Sequence, residues 1–127
     1  MLSVYNSRAT INNCDFLSSK GDDGVNIKSS QAIISESNFI GNNGDAIDLD
    51  FTDENTAIIS NYISDSLGDG IDLLGSKSLL YNNHIEKSQD KGISIGEKSD
   101  AQIINNLITE NIIGIAIKDN SKINSIN

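Results

Sequence analysis

The sequence predicts an all-β chain built as a stack of similar coils, and three observations carry that reading. One kind of short stretch recurs at even spacing along all 127 residues. Each copy holds an apolar pair at positions i and i+2. The composition, rich in isoleucine, asparagine and serine and without proline or tryptophan, favours short strands joined by tight turns over helices.

The recurrence is plainest at Gly68–Ser76, "GDGIDLLGS". Related stretches are "GDDGVNIKS" (Gly21–Ser29), "GDAIDLD" (Gly44–Asp50), "DKGISIGE" (Asp90–Glu97) and "IIGIAIKD" (Ile112–Asp119). The first apolar residue of each strand falls at Leu2, Val25, Ile47, Ile71, Ile93 and Ile115, giving steps of 23, 22, 24, 22 and 22. Two residues on stand Val4, Ile27, Leu49, Leu73, Ile95 and Ile117. Alternate residues of a strand share a face, so each pair turns inward and the residue between turns outward. A unit of this length has no room for a crossover helix. Stacked coils remain, with successive strands paired in parallel about 4.8 Å apart.

The second element of each coil carries Ile11, Ile34, Ile58, Leu80 and Ile103, and the third carries Phe16, Phe39, Ile63, Ile85 and Ile108. Between them runs the column Cys14, Ser37, Asn61, Asn83, Asn106. Three asparagines in register suggest an internal amide ladder along the stack. The alternative is that asparagine tolerates a left-handed bend. Before the first strand comes Gly24, Ala46, Gly70, Gly92, Gly114. Ala46 in that column indicates a crowded corner rather than a strict need for positive φ.

The net charge of −9 argues against nucleic acid as a partner and suits a cation, a neutral glycan or solubility. No apolar run is long enough to span a bilayer. The single cysteine, Cys14, forms no internal disulfide and leaves the compartment unread. Residues 1–127 read as one domain. Leu2 and Val4 already sit in register, and Ile123 and Ile126 continue an apolar pattern at the other end. The expectation is a fragment of a longer protein, or a chain that covers its ends by end-to-end self-association.

The outward positions hold the chemistry. The column between the paired apolar residues reads Asn26, Asp48, Asp72, Ser94, Ala116. Three residues earlier stand Asp23, Asp45, Asp69, Lys91 and Ile113; beyond lie Lys28 and Asp50. Two charges about 4.8 Å apart repel by roughly 1 kcal/mol in water and more when shielded, so such carboxylates need solvent, protons or a cation. Ca²⁺ takes six to eight oxygens, and Asp45, Asp48, Asp69 and Asp72 form a candidate set for it. No cofactor is required. The alternative for Asp23, Asp45 and Asp69 is that each caps its own turn. Lys91, one coil after Asp69, is a candidate base or an ion-pair partner. His84 and Tyr62 share another outward column and read as surface residues. No phosphate loop, zinc spacing or Ser-His-Asp set is present.

The period, the "GxIxL/I" strand and the "NN-x-I" bend resemble the right-handed parallel β-helix repeats of the pectin-lyase-like superfamily. The likeness covers the whole chain and implies a right-handed parallel β-helix of about five to six coils. "DKGISIGEKS" and "GIAIKDNS" are similar to β-helix regions of bacterial cell-surface proteins, which implies an extracellular or surface location. "GDDGVNIKS" resembles the Gly-Asp-Asp motif of polygalacturonase-type glycosidases, which implies Asp22 and Asp23 as acid/base carboxylates. That family's Gly-His-Gly is replaced by Asn43-Gly44-Asp45, and its Asn-Thr-Asp and Arg-x-Lys motifs are missing. The expected function is a non-catalytic module with an acidic face that binds a cation or a carbohydrate. The alternative is part of a polysaccharide lyase, C5-epimerase or glycoside hydrolase, with Asp22, Asp23, Asp69 and Lys91 as catalytic candidates.

Overall fold

The computed structural model describes the backbone of residues 1–126 and the side chains of residues 1–124. It is a parallel β-solenoid whose described residues form three sheets and no helix. The first sheet runs Leu2–Tyr5, Val25–Lys28, Ile47–Asp50, Ile71–Leu74, Lys91–Gly96, Ile113–Ile117. The second runs Arg8–Asn12, Gln31–Ser35, Thr56–Ile59, Lys77–Tyr81, Asp100–Ile104, Lys122–Ile126. The third runs Asp15–Leu17, Asn38–Ile40, Tyr62–Ser64, His84–Glu86, Leu107–Thr109. Each strand pairs in parallel with its equivalents in the adjacent coils. No helix among the described residues is long and apolar enough to cross a membrane.

The repeat register is the register of the sheets. Val25 lies opposite Ile47, Ile47 opposite Ile71, and Ile71 opposite Ile93. The apolar columns therefore stack on themselves and fill the interior. Ile71, Leu73, Leu80 and Ile85 are all 0 % exposed. Phe16 and Phe39 stack with ring centroids 4.8 Å apart and planes 5° from parallel. The side chain of Ile126, expected to continue the pattern, lies outside the described residues.

Each bend opens with a residue in the left-handed region. Between the second and third sheets these are Asn13, Glu36, Ser60, Asn82 and Asn105, with φ from 50° to 57°. The ladder column is the next residue, and it does not have positive φ. Asn61 Nδ2 donates to Asn83 Oδ1 (3.0 Å), and Asn83 Nδ2 donates to Asn106 Oδ1 (2.9 Å). The same oxygens accept the backbone N–H of Asn61 and Asn83. The amides thus tie coil to coil, while their neighbours make the turn.

A second ladder, not read from the sequence, follows the bend between the first and second sheets. Ser7, Thr52, Ser76 and Ser99 donate their backbone N–H to the hydroxyls of Ser30, Ser76, Ser99 and Ser121 at 2.9–3.1 Å. The glycine column is crowded, as Ala46 implied. A Cβ on Gly70 would stand 2.6 Å from the Gly92 carbonyl oxygen, and one on Gly92 2.7 Å from that of Gly114.

Candidate functional site

The site lies on the outer face of the first sheet and the bend that leads into it. Asp23, Asp45 and Asp69 do not cap their own turns. Each carboxylate reaches the next coil instead. Asp23 Oδ1 accepts the Asp45 N–H (3.1 Å), Asp45 Oδ1 the Asp69 N–H (2.6 Å), and Asp69 Oδ1 the Lys91 N–H (2.9 Å). The turn-capping expectation fails because the parallel stack places a donor about one strand spacing away, aimed along the axis. Among the described residues the Oδ2 atoms of Asp45 and Asp69 take no hydrogen bond in this chain of contacts.

Alternation brings Asp72 back beside them. Carboxylate oxygens of Asp45, Asp69 and Asp72 all lie within 4.8 Å of one another. Asp72 Oδ1 is shielded from solvent and has no hydrogen-bond partner. Asp48, the fourth residue of the expected cation set, sits opposite Asp72 on the adjacent strand. It accepts a hydrogen bond from Asn26 Nδ2 and is not one of the three converging carboxylates.

The acids are less solvated than an outward position suggests, because each coil screens the next. Asp23 and Asp69 are buried, and Asp45, Asp48 and Asp72 half-buried. Burial pushes the Asp45 carboxyl up to about 7; the Asp69 N–H bond opposes this, and the charges of Asp69, Asp72 and Asp23 add to it. Burial likewise takes Asp48 to about 7, reinforced by Asp50 and Asp23 and opposed by Asn26. Burial also raises Asp72 above the ordinary aspartate value, and the charge of Asp69 adds to it. Asp23 is raised by burial too, against its bond to Asp45.

Two lysines border the face. Lys28 Nζ lies 3.1 Å from Asp50 Oδ2. Lys91 Nζ lies 3.3 Å from Asp69 Oδ1 and also contacts Asp90. Burial pulls the Lys91 ammonium down, but its bond to Asp90 and the charge and bond of Asp69 outweigh that and hold it above the ordinary lysine value. Asp22 is exposed, and with Asp23 it leans on Gly44, where a Cβ would stand 2.8 Å from Asp23 Oδ1. His84 is elsewhere, on the third sheet, with Nε2 3.2 Å from Glu86 Oε2 and its ring edge-on to Tyr62.

A family profile for the right-handed β-helix region matches residues 1–127. The chain belongs to the right-handed β-helix family. No curated protein matches this β-helix. Ser94 and Asn26, which flank the paired aspartates on the same β-helix face, stood in the outward column of the sequence. Their polar character beside two acids was the signal that they belong to this surface.

Proposed function

We propose that this β-helix is a non-catalytic module that binds a hard divalent cation of the Ca²⁺ type at Asp45, Asp69 and Asp72. The observation that carries the reading is the convergence of three carboxylates on one another, with Asp72 Oδ1 shielded and unpartnered. Two of the three are already held by ladder bonds through Oδ1, so they are positioned before any ion arrives. Three carboxylates supply part of a Ca²⁺ shell of six to eight oxygens, and water completes it at an open face. Sites of that kind sit at the weak end of the Ca²⁺ range, which suits a location outside the cell, where the ion is abundant. Lys91 is a poor base, being held protonated between two aspartates.

Calorimetry and thermal unfolding with CaCl₂ and MgCl₂ test this. Ca²⁺ should release or absorb heat with one-site stoichiometry and raise the melting temperature by mass action. Asp72→Asn should abolish both effects while the apo protein stays folded. Absence of heat and of any shift at millimolar Ca²⁺ would leave only a screened acidic surface. Turnover of polygalacturonate or alginate by the isolated chain would overturn the non-catalytic part.

A further inference from the structure

Asn43-Gly44 is the one asparagine–glycine pair in the sequence. Every other asparagine with a successor is followed by a residue that carries a side chain. The pair lies in the bend from the third sheet into the first, between Asn38–Ile40 and Ile47–Asp50. Asn43 is exposed there, whereas the ladder amides Asn61 and Asn83 are buried. The cation reading makes no use of it.

The stack fixes glycine at position 44. A Cβ there would stand 2.5 Å from Asp22 Oδ1, 2.8 Å from Asp23 Oδ1 and 2.9 Å from the Asp22 carbonyl carbon. No bulkier residue can therefore follow Asn43 and screen its side-chain amide. The same amide ties two coils together, because Asn43 Nδ2 donates to the Gly21 carbonyl oxygen (3.1 Å). The Gly44 N–H donates to the Asp22 carbonyl (2.7 Å), and the Gly44 carbonyl accepts the Gly68 N–H (3.0 Å). An exposed amide and the unhindered backbone nitrogen after it thus share one bend, and that bend carries the coil-to-coil contacts leading into the acidic face.

We propose that Asn43 is a site of spontaneous deamidation, which converts its amide to a carboxylate at the entry to the acidic face. The Gly44 backbone nitrogen gives up its proton to solvent and attacks Asn43 Cγ. The bond from Cγ to Nδ2 breaks, ammonia leaves, and a five-membered succinimide closes. Water then opens the ring at either carbonyl, giving aspartate or isoaspartate. One water enters, one ammonia departs, and nothing is oxidised or reduced. A side chain on the attacking residue hinders the closure, and glycine has none. The Gly44 bond to Asp22 must open first, so the reaction follows local opening of the bend rather than global unfolding. The product loses the donor to Gly21 and sets a new charge in the bend that holds Asp45. Isoaspartate also adds a methylene to the main chain where neighbouring coils hold it at fixed spacing. The site shares no residue with the three converging carboxylates and stands without the cation reading.

The test is peptide mapping by mass spectrometry of the whole folded, metal-free chain held at pH 8 for several weeks. The peptide containing Asn43 should gain about 1 Da and split into aspartate and isoaspartate forms before any other asparagine peptide changes. The gain should be slower than in the urea-unfolded chain, yet measurable. Asn43→Gln keeps an amide but requires a six-membered ring, so it should stay unmodified over the same period. Asn43→Asp makes one product directly; it should fold and melt a few degrees below the parent. No gain at Asn43 in the folded chain, an earlier gain at the asparagine–serine pairs of Asn6 or Asn120, or an unchanged melting temperature of Asn43→Asp would each overturn the inference.

Discussion

Asn83 is 1 % exposed and fully engaged. Its Oδ1 accepts two bonds from Asn61, and its Nδ2 donates to Asn106 Oδ1 and the Ile58 carbonyl. Asn83→Ala strands two buried donors on Asn61 and one carbonyl, each costing about 1–3 kcal/mol. A loss of roughly 3 kcal/mol or more in urea unfolding is expected, with the midpoint moving and the slope unchanged. Glu36 illustrates the opposite case. It sits at φ 50° on the surface, where its Cβ is a liability. Glu36→Gly should leave stability equal or raise it by up to about 1 kcal/mol. A clear destabilisation there would mean that the contact from Asn12 Nδ2 to its carboxylate outweighs the backbone strain.

At the scale of the element, a coil is three short strands and three bends, and its tolerance is set by corner spacing. A Cβ on Gly92 would meet Ile108 Cγ2, Asn111 Nδ2 and the Gly114 carbonyl, all at 2.7–2.8 Å. Gly92→Ala should therefore cost about 1–3 kcal/mol by overpacking, measured as a lower melting temperature. Gly21→Ala, whose Cβ would meet only Met1 Sδ at 3.5 Å, should be within about 0.5 kcal/mol of neutral. The strands were readable because Ile71 and Leu73 repeat at i and i+2, and a period of two has one outcome once a face is buried. The corner was readable because Ala46 interrupts a glycine column. The serine ladder of Ser30, Ser76, Ser99 and Ser121 was in the sequence at the same period, but isolated serines at turns carry no periodic apolar signal to mark them. The convergence of Asp45, Asp69 and Asp72 was not readable in full. Strand alternation places Asp72 outward, whereas its approach to the preceding bend depends on how that bend is held by the carboxylate-to-N–H ladder.

For the molecule as a whole, the acidic face sets how stability responds to pH. Asp45 and Asp48 have folded-state values of about 7, above the roughly 3.9 of an unfolded aspartate. Between those values the folded chain binds more protons than the unfolded one, so stability falls as pH rises through the window. Asp23 and Asp72 shift in the same direction. Asp53 and Glu86 are lowered, chiefly by bonds from Gln31 and Tyr62, and their contribution is lost only in strong acid, below the ordinary carboxylate range. The raised lysines Lys28, Lys87 and Lys91 act above pH 10, where the stability each adds is lost as pH climbs past its folded value. From pH 8 to pH 5 the aspartates therefore decide the slope. After a discount for solvent screening, the gain on acidification is about 1–2 kcal/mol, or on the order of 4–8 °C in melting temperature. Differential scanning calorimetry of the metal-free protein at pH 8, 6.5 and 5 measures it. A flat or falling melting temperature toward pH 5 would show that these carboxylates are well hydrated. On the proposed cation site, saturating Ca²⁺ should invert the trend, because an ion held there would stabilise the ionised face at pH 8 and be displaced by protons at pH 5. Asp72→Asn should leave a shallower metal-free slope, carried by Asp45 and Asp48 without the Asp72 charge beside them, and should lose the inversion, which separates the field of the stacked coils from the proposed ion.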